Sequence, residues 1–155
     1  MDITDVILAD HHEQRRMFAL LDDVDPADTA TLAALWTRLS AMLEVHAQAE
    51  EIYFYPELLR LGERRHEEEE TEETRDAIGD HNDIRDGILQ ASRHDVGTDG
   101  WWSGVTAARP ISGVSGASRL VGGALAGVVA AGVGPLTPSA TWTKVARSVS
   151  ASCSA

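Results

Sequence analysis

Apolar residues recur at every third or fourth position through the first hundred residues, which is the period of an amphipathic helix. In a first predicted helix, residues 2–22, the apolar face comprises Ile3, Ile7, Phe18 and Leu21, with Gln14 filling the gap between them. A second predicted helix runs from about residue 26 to Tyr55, and a third from about residue 70 to 92. Apolar faces on consecutive helices pack against one another, so the pattern predicts an all-α, up-down-up-down four-helix bundle.

Capping and helix-breaking residues predict where the second helix begins and ends. Asp25, Asp28 or Thr29 can accept a hydrogen bond from a free backbone N–H group and so cap its start. Pro56 lacks a backbone donor, and it is expected to bend or end the helix.

The third and fourth predicted helices are weaker. Gly79 and Gly87 lie inside the third, and each costs about 1 kcal/mol relative to alanine where it is exposed. Asp99 can cap the fourth helix. Its apolar face opens with Trp101, Trp102, Val105 and Ala108, and the pattern then ends at Pro110. The fourth helix is therefore expected to be truncated or degenerate.

Charge divides the chain near residue 109 into two parts. All 25 acidic residues and all six histidines precede residue 100. Residues 1–109 hold ten Arg and carry a net charge of −15, whereas residues 110–155 hold three basic residues, no acid and a net charge of +3. Residues 1–109 are expected to form the bundle domain. Residues 110–155, rich in Gly, Ala, Ser and Val, are expected to form a disordered or loosely packed tail.

The composition of this tail allows two further interpretations. Its apolar segment, residues 120–134, is short for a membrane span and contains five glycines, which favours a tail over a span. A shift of reading frame in the coding DNA near Arg109 would also produce such a change of composition, and translation of the other frames beyond that point tests this hypothesis.

Overall composition limits the classes of partner. A net charge of −12 argues against nucleic acid and anionic membrane. The single cysteine, Cys153, excludes an intrachain disulfide and favours a reducing compartment. The start of the chain lacks the basic-then-apolar pattern of a signal peptide, so a cytoplasmic protein is expected. A truncated bundle leaves apolar helix faces uncovered, and self-association is therefore expected.

Each of the first three predicted helices places one histidine in its apolar stripe. These histidines are His11, His46 and His81, and Glu50 follows His46 by four residues on the same helix face. A buried carboxylate is unfavourable unless it is paired or bound to a metal. A core histidine bonded to a glutamate would explain His46 alone. Three histidines on converging faces favour a metal site instead, with iron or zinc as the ion.

The remaining histidines are predicted to lie at the surface. His12 is rotated about 100° from His11 on the first helix. His66 follows Glu63 in a single Glu-x-x-His, whereas ferritin-like di-iron bundles need two such pairs. His94 follows the third helix in a predicted loop. The acidic run Glu67–Glu70 is interpreted as a solvated helix start rather than a cation site.

Three segments together resemble the hemerythrin-like cation-binding domains over roughly residues 3–109. These segments are Asp10-His11-His12-Glu13 with Phe18, then His46-Ala-Gln-Ala-Glu50-Glu51 with Tyr55-Pro56, then Asp80-His81-Asn82 with Ile84. The resemblance implies a four-helix bundle with a non-haem, oxo-bridged di-iron centre that binds dioxygen or senses or stores oxygen and iron. It implies metal ligands at His11, His46 and His81, a bridging carboxylate at Glu50, and an outer carboxylate at Glu51.

The chain departs from the family pattern in the fourth helix, where the family has a further His-x-x-x-Glu. No His, Asp or Glu follows Asp99. Two interpretations remain open, a metal-binding protein that handles iron and dioxygen, and a degenerate bundle that is metal-free or holds one zinc or iron ion. An oxidase or peroxide-degrading enzyme is less favoured, because no separate proton donor or substrate pocket is visible. No catalytic residue is therefore assigned.

Overall fold

The computed structural model describes residues 3–65 and 68–110, and these residues form helices and the connections between them. The helices are α1 (Ile3–Asp23), α2 (Thr29–Ala49), α3 (Tyr55–Arg65), α4 (Glu68–Ala91) and α5 (Asp99–Ala107), with a π-helical turn (Glu50–Phe54) joining α2 to α3. No strand occurs among them, so the predicted all-α class is confirmed. The predictions for a tail and for its apolar segment lie outside the described residues.

α1, the continuous α2–α3 segment, α4 and α5 are the four parts of the bundle. α1 packs against α2. α4 packs against both α2 and α3 on one side of the chain order and against α5 on the other. Short connections at residues 24–28 and 92–98 make the joined helices antiparallel neighbours. None of these helices is both long and apolar enough to span a membrane.

The caps agree in part with the prediction. Asp28 caps α2, with its Oδ1 accepting a hydrogen bond from the Thr31 backbone N–H at 3.0 Å. At α5 the cap is Thr98 and not Asp99, because Thr98 Oγ1 accepts from the Trp101 N–H and Asp99 is already helical. A cap bonds the N–H two or three residues later, which is the spacing of Thr98 and Trp101.

Of the two effects expected of Pro56, a bend or an end of the second helix, the end is not observed. The chain passes through the π-helical turn and continues as α3 to Arg65. Pro56 is the second residue of α3, in a first turn whose backbone donors need no partner within that helix. Its missing N–H is therefore tolerated.

Two apolar clusters lie at opposite ends of the helices. The tryptophan core consists of Met17, Phe18, Leu21, Leu32, Trp36, Leu39, Leu43, Ile84, Ala91, Trp101, Val105 and Ala108. The tyrosine core consists of Ile3, Ile7, Ala49, Phe54, Tyr55, Leu58 and Ala77. The predicted apolar faces are thus confirmed with one exception. Ile78, which the helical period places on the apolar face of the third predicted helix, is 37% exposed.

Glycines bring α4 and α5 into close contact. A Cβ atom on Gly104 would lie 2.3 Å from the Ala91 backbone nitrogen, and one on Gly87 would lie 2.3 Å from the Ala108 nitrogen. Gly87 is therefore a buried packing position and not the exposed weak point that was considered above. Gly79 has no neighbouring atom within 4 Å of such a Cβ.

Candidate metal centre

Three helices bring the three predicted histidines together between the two apolar clusters. His11 on α1, His46 on α2 and His81 on α4 are all buried. On each helix the histidine separates residues of the tyrosine core from residues of the tryptophan core. The helical period that placed these residues in apolar stripes thus also places them at one level of the bundle.

Glu50 lies at the centre of this group and is fully buried, at 0% exposure. Its Oε1 is 3.4 Å from His46 Nε2 and 3.8 Å from His11 Nε2. Its Oε2 is 3.3 Å from His81 Nε2 and accepts a hydrogen bond from the Tyr55 hydroxyl at 2.6 Å. The two oxygens of Glu50 therefore face two different sets of partners.

His11, His46 and Glu50 can hold a metal ion. One ligand atom from each lies within 4.8 Å of the others. A tetrahedral ion with bonds of about 2.1 Å places its ligand atoms about 3.4 Å apart. The separation of His46 Nε2 from Glu50 Oε1 is 3.4 Å, and His11 Nε2 is 0.4 Å farther from that oxygen. Both distances to Glu50 Oε1 therefore lie within about 0.4 Å of the spacing that a bound ion needs.

Buried atoms without partners lie at the same place. Among the residues that the structure describes, His46 Nε2, Glu50 Oε1 and His11 Nδ1 are buried side-chain atoms with no hydrogen-bond partner. Leaving a buried polar atom unpaired costs about 1–3 kcal/mol. His46 Nε2 and Glu50 Oε1 face each other, so one bound cation would satisfy both atoms.

Each of two histidines is held from its outer side by a carboxylate. His46 Nδ1 is 3.2 Å from Asp10 Oδ2, and His81 Nδ1 is 3.0 Å from Glu51 Oε1. An ionised carboxylate only accepts hydrogen bonds, so each Nδ1 donates its proton outward. In a neutral ring, Nε2 then directs a lone pair at Glu50, which is unfavourable unless a cation lies between them. Carboxylate–histidine–metal arrangements in proteins have this geometry.

The protonation of His11 and of Glu50 suits metal ligands. Burial, and then the charge of His46, lower the pKa of His11 to about 4, so His11 is neutral near pH 7. Burial alone would raise the pKa of Glu50, but the charge of His46 and the contacts with His81 and the Tyr55 hydroxyl outweigh it and lower the pKa to about 2. Neutral imidazole and ionised carboxylate are the forms that bind metals.

His46 and Tyr55 show the influence of the same carboxylate. Burial alone would lower the pKa of His46, but Glu50 and Asp10 outweigh it and the pKa is raised. Burial and then the charge of Glu50 raise the pKa of Tyr55 far above its ordinary value. Tyr55 therefore keeps its proton and donates it to Glu50 Oε2.

The π-helical turn brings two consecutive glutamates to one histidine. Glu50 approaches His81 Nε2 and Glu51 approaches His81 Nδ1. Consecutive side chains of an α-helix point about 100° apart, whereas a π turn holds more residues per turn and narrows that angle. It also brings Tyr55 onto Glu50, five residues earlier. Short π segments of this kind are frequent at functional sites.

Sequence reasoning missed three features of the site. It gave no role to Asp10, assigned no contact to Tyr55, and did not anticipate the π turn. Asp10 precedes a ligand histidine, and Tyr55 follows Glu50 at the i+5 spacing of a π turn. These two positions in the sequence are the signals that could have indicated the roles of Asp10 and Tyr55. The assignment of Glu51 as an outer carboxylate stays a prediction, supported by its contact with His81.

The other candidates are not part of the centre. His12 and His94 are exposed, and His94 lies in the loop after α4, as predicted. The predictions for His66 and for the start of the acidic run at Glu67 fall outside the described residues. α5 provides no ligand, because no His, Asp or Glu follows Asp99 in the sequence.

Neither the comparison with curated proteins nor that with solved structures gave a match. The family model of the hemerythrin HHE cation binding domain matches residues 2–109, which is more than half of the chain. With its helical fold and a His/Glu group that can hold a metal, the chain belongs to the hemerythrin HHE cation-binding family.

Proposed function

We propose that this protein binds non-haem iron between α1, α2 and α4, with His11, His46, Glu50 and His81 as the ligand set. The observation that carries this proposal is the convergence of His46 Nε2 and Glu50 Oε1, two buried atoms without partners, beside His11. The second oxygen of Glu50 faces His81.

The ligand types favour iron over other metals. Two or more imidazoles with one carboxylate suit non-haem iron, and the same set accepts zinc in a four-coordinate site. Iron held by so few protein ligands would supply reversible binding of dioxygen or peroxide at its open positions. The protein's part is to hold the ligands in a site walled by the tyrosine core, where Tyr55 fixes Oε2 of Glu50.

We propose one metal ion per chain and not the two that the family resemblance implies. The described residues place His11, His46 and Glu50 Oε1 around one position. A second ion beside His81 would have only Glu50 Oε2 as a further ligand, and that oxygen already accepts the Tyr55 hydrogen bond. His81 is therefore proposed as the fourth ligand of the same single ion. α5 ends at Ala107, and the sequence beyond Asp99 offers no further His or carboxylate.

A metal-free bundle with a structural or interaction role is the second candidate. It is favoured by the hydrogen bond of Glu50 with Tyr55, which partly satisfies the carboxylate without any ion. Self-association belongs to this candidate as a prediction, since Ile52 and Leu89 are about half exposed. Loss of metal binding in the intact protein would select this candidate.

The test compares metal affinities by competition with a chromophoric chelator under anaerobic conditions. The intact chain should retain about one iron, and His46→Asn should weaken binding more than about 100-fold, beyond the usual effect of an outer residue. The adjacent histidines give a matched pair. His11→Asn should cause a similar loss, whereas His12→Asn, at an exposed position, should leave the affinity unchanged. Equal losses in the pair, or no retained metal in the intact chain, would contradict the proposal.

A further inference from the structure

The two outer carboxylates of the centre differ in what holds them. Asp10 contacts His46 with a side chain that is 35% exposed, and the described part of the chain shows no cation bonded to it. Glu51 contacts His81 and is itself bound by Arg85. One histidine is therefore supported by a carboxylate alone, and the other by a carboxylate that an arginine fixes in place.

Arg85 binds both oxygens of Glu51. Its Nη2 donates to Oε1 at 2.9 Å and to Oε2 at 3.0 Å, while Nη1 donates to Asn82 Oδ1 at 3.2 Å. Arg85 follows His81 by four residues, so the two side chains share one face of α4. Charge-assisted hydrogen bonds are roughly twice as strong as neutral ones.

The Arg85–Glu51 ion pair is partly buried, which strengthens its hydrogen bonds. The side chains of Arg85 and Glu51 are 34% and 27% exposed. Partly buried pairs are screened less by salt than exposed pairs. Arg85 therefore fixes the orientation of Glu51, and Glu51 Oε1 in turn accepts a hydrogen bond from His81 Nδ1.

We infer that Arg85 is a positioning residue of the centre: through Glu51 it holds His81 in the tautomer and ring orientation that direct Nε2 at Glu50. This rests on the proposed function only in its metal readout, because the orientation of His81 is a property of the metal-free protein. Removing Arg85 frees Glu51 to turn toward solvent and frees the His81 ring.

The first readout is metal affinity in Arg85→Gln, with Arg16→Gln as the matched control. Arg16 makes a two-bond pair with Glu13, at 2.7 Å for each bond, but among the described residues that exposed pair has no hydrogen bond or ion pair with His11, His46 or His81. Arg85→Gln should weaken metal binding about 10–100-fold, the range for outer residues of metal sites. Arg16→Gln should bind as the intact chain does. Arg85→Lys, which keeps the charge but not the fork, should recover part of the loss.

The second readout needs no metal. Imidazole ¹⁵N spectra of the metal-free protein should show the proton of His81 on Nδ1, and His81→Asn identifies those signals. In Arg85→Gln both nitrogen signals should move toward values averaged between the tautomers, and in Arg16→Gln they should not move. Unchanged His81 signals in Arg85→Gln would overturn the inference, whatever the protein's metal affinity. Absence of metal from the intact chain would contradict the proposed function alone.

Discussion

The tryptophan core and the metal centre lie on the same helices but use burial in opposite ways. The tryptophan core consists of apolar side chains packed against one another, and α5 covers it with Trp101 and Val105. In the metal centre, burial removes one carboxylate and three histidines from water. Apolar burial stabilises without further conditions, whereas polar burial is unfavourable until its partners are supplied. The tryptophan core therefore stabilises the fold by itself, whereas the metal centre contains buried polar atoms that a bound cation would pair.

The extent of α5 sets the boundary between the two regions. Gly104 packs on Ala91, and Ala108 packs on Gly87. α4 and α5 therefore run antiparallel, and four residues along one helix correspond to four residues along the other. A helix that kept this register would reach the level of His81 at about residue 114. The described helix ends at Ala107, where Arg109 pairs with Asp22 of α1 and lies over Phe18. The described residues of the fourth helix thus pack on the tryptophan core.

The largest predicted effect is on the tryptophan core. Trp101→Ala removes a side chain that is 1% exposed and packs edge-on against Trp36, with ring centroids 5.9 Å apart. We expect the free energy of unfolding of the metal-free protein to fall by about 3–5 kcal/mol. Urea denaturation measures this loss.

The neighbouring tryptophan is the control for this change. Trp102 is only partly buried, so Trp102→Ala should cost clearly less. If both variants lost the same stability, the burial of Trp101 beneath α5 would not be the source of the effect.

Metal removal should have the next largest effect, and it should act through the centre alone. A ligand that binds only the folded state at about 100 times its Kd adds about 2.7 kcal/mol. We expect a chelator to lower the melting temperature of iron-loaded protein accordingly. The melting temperature of His46→Asn should not respond to iron or to the chelator. If iron raised the melting temperature of His46→Asn as much as that of the intact protein, the ion would bind at a site that does not include His46.

The smallest predicted effects test how α4 meets α5. Gly87→Ala places a Cβ against the backbone of Ala108, and we expect a loss of about 1–3 kcal/mol. Gly79→Ala meets open space on the same helix, so it should stabilise by about 0.5–1 kcal/mol. Thermal unfolding should therefore show a lower stability for Gly87→Ala and a higher stability for Gly79→Ala. A stabilising Gly87→Ala would show that the close contact of α4 with α5 does not form.

The sequence carried much of the fold and the choice of inward histidines, because both depend on helical period. His11, His46 and His81 fall at positions that recur with the apolar residues, and such positions converge in any bundle. Glu50 could be placed beside His46 by the same rule. His11 was preferred to the adjacent His12 for the same reason, and the structure confirms the difference in burial.

What the sequence did not show depends on contacts between distant residues or on backbone hydrogen bonding. The period of apolar residues does not reveal a π turn, so the joint approach of Glu50 and Glu51 to His81 could not be predicted. Gly87 was treated as a weak helix position, since only packing against Ala108 shows its role. The Arg85–Glu51 pair joins residues 34 positions apart, and neither residue type signals such a partner.

The most direct test of the central claim is to locate the metal by anomalous diffraction at the iron edge, using crystals of the iron-loaded protein. We predict one strong peak per chain, about 2.1 Å from His46 Nε2 and from Glu50 Oε1, with His11 beside it. A peak found only at the acidic run Glu67–Glu70, or none within reach of Glu50, would contradict the account and leave a bundle whose buried histidines bind no iron.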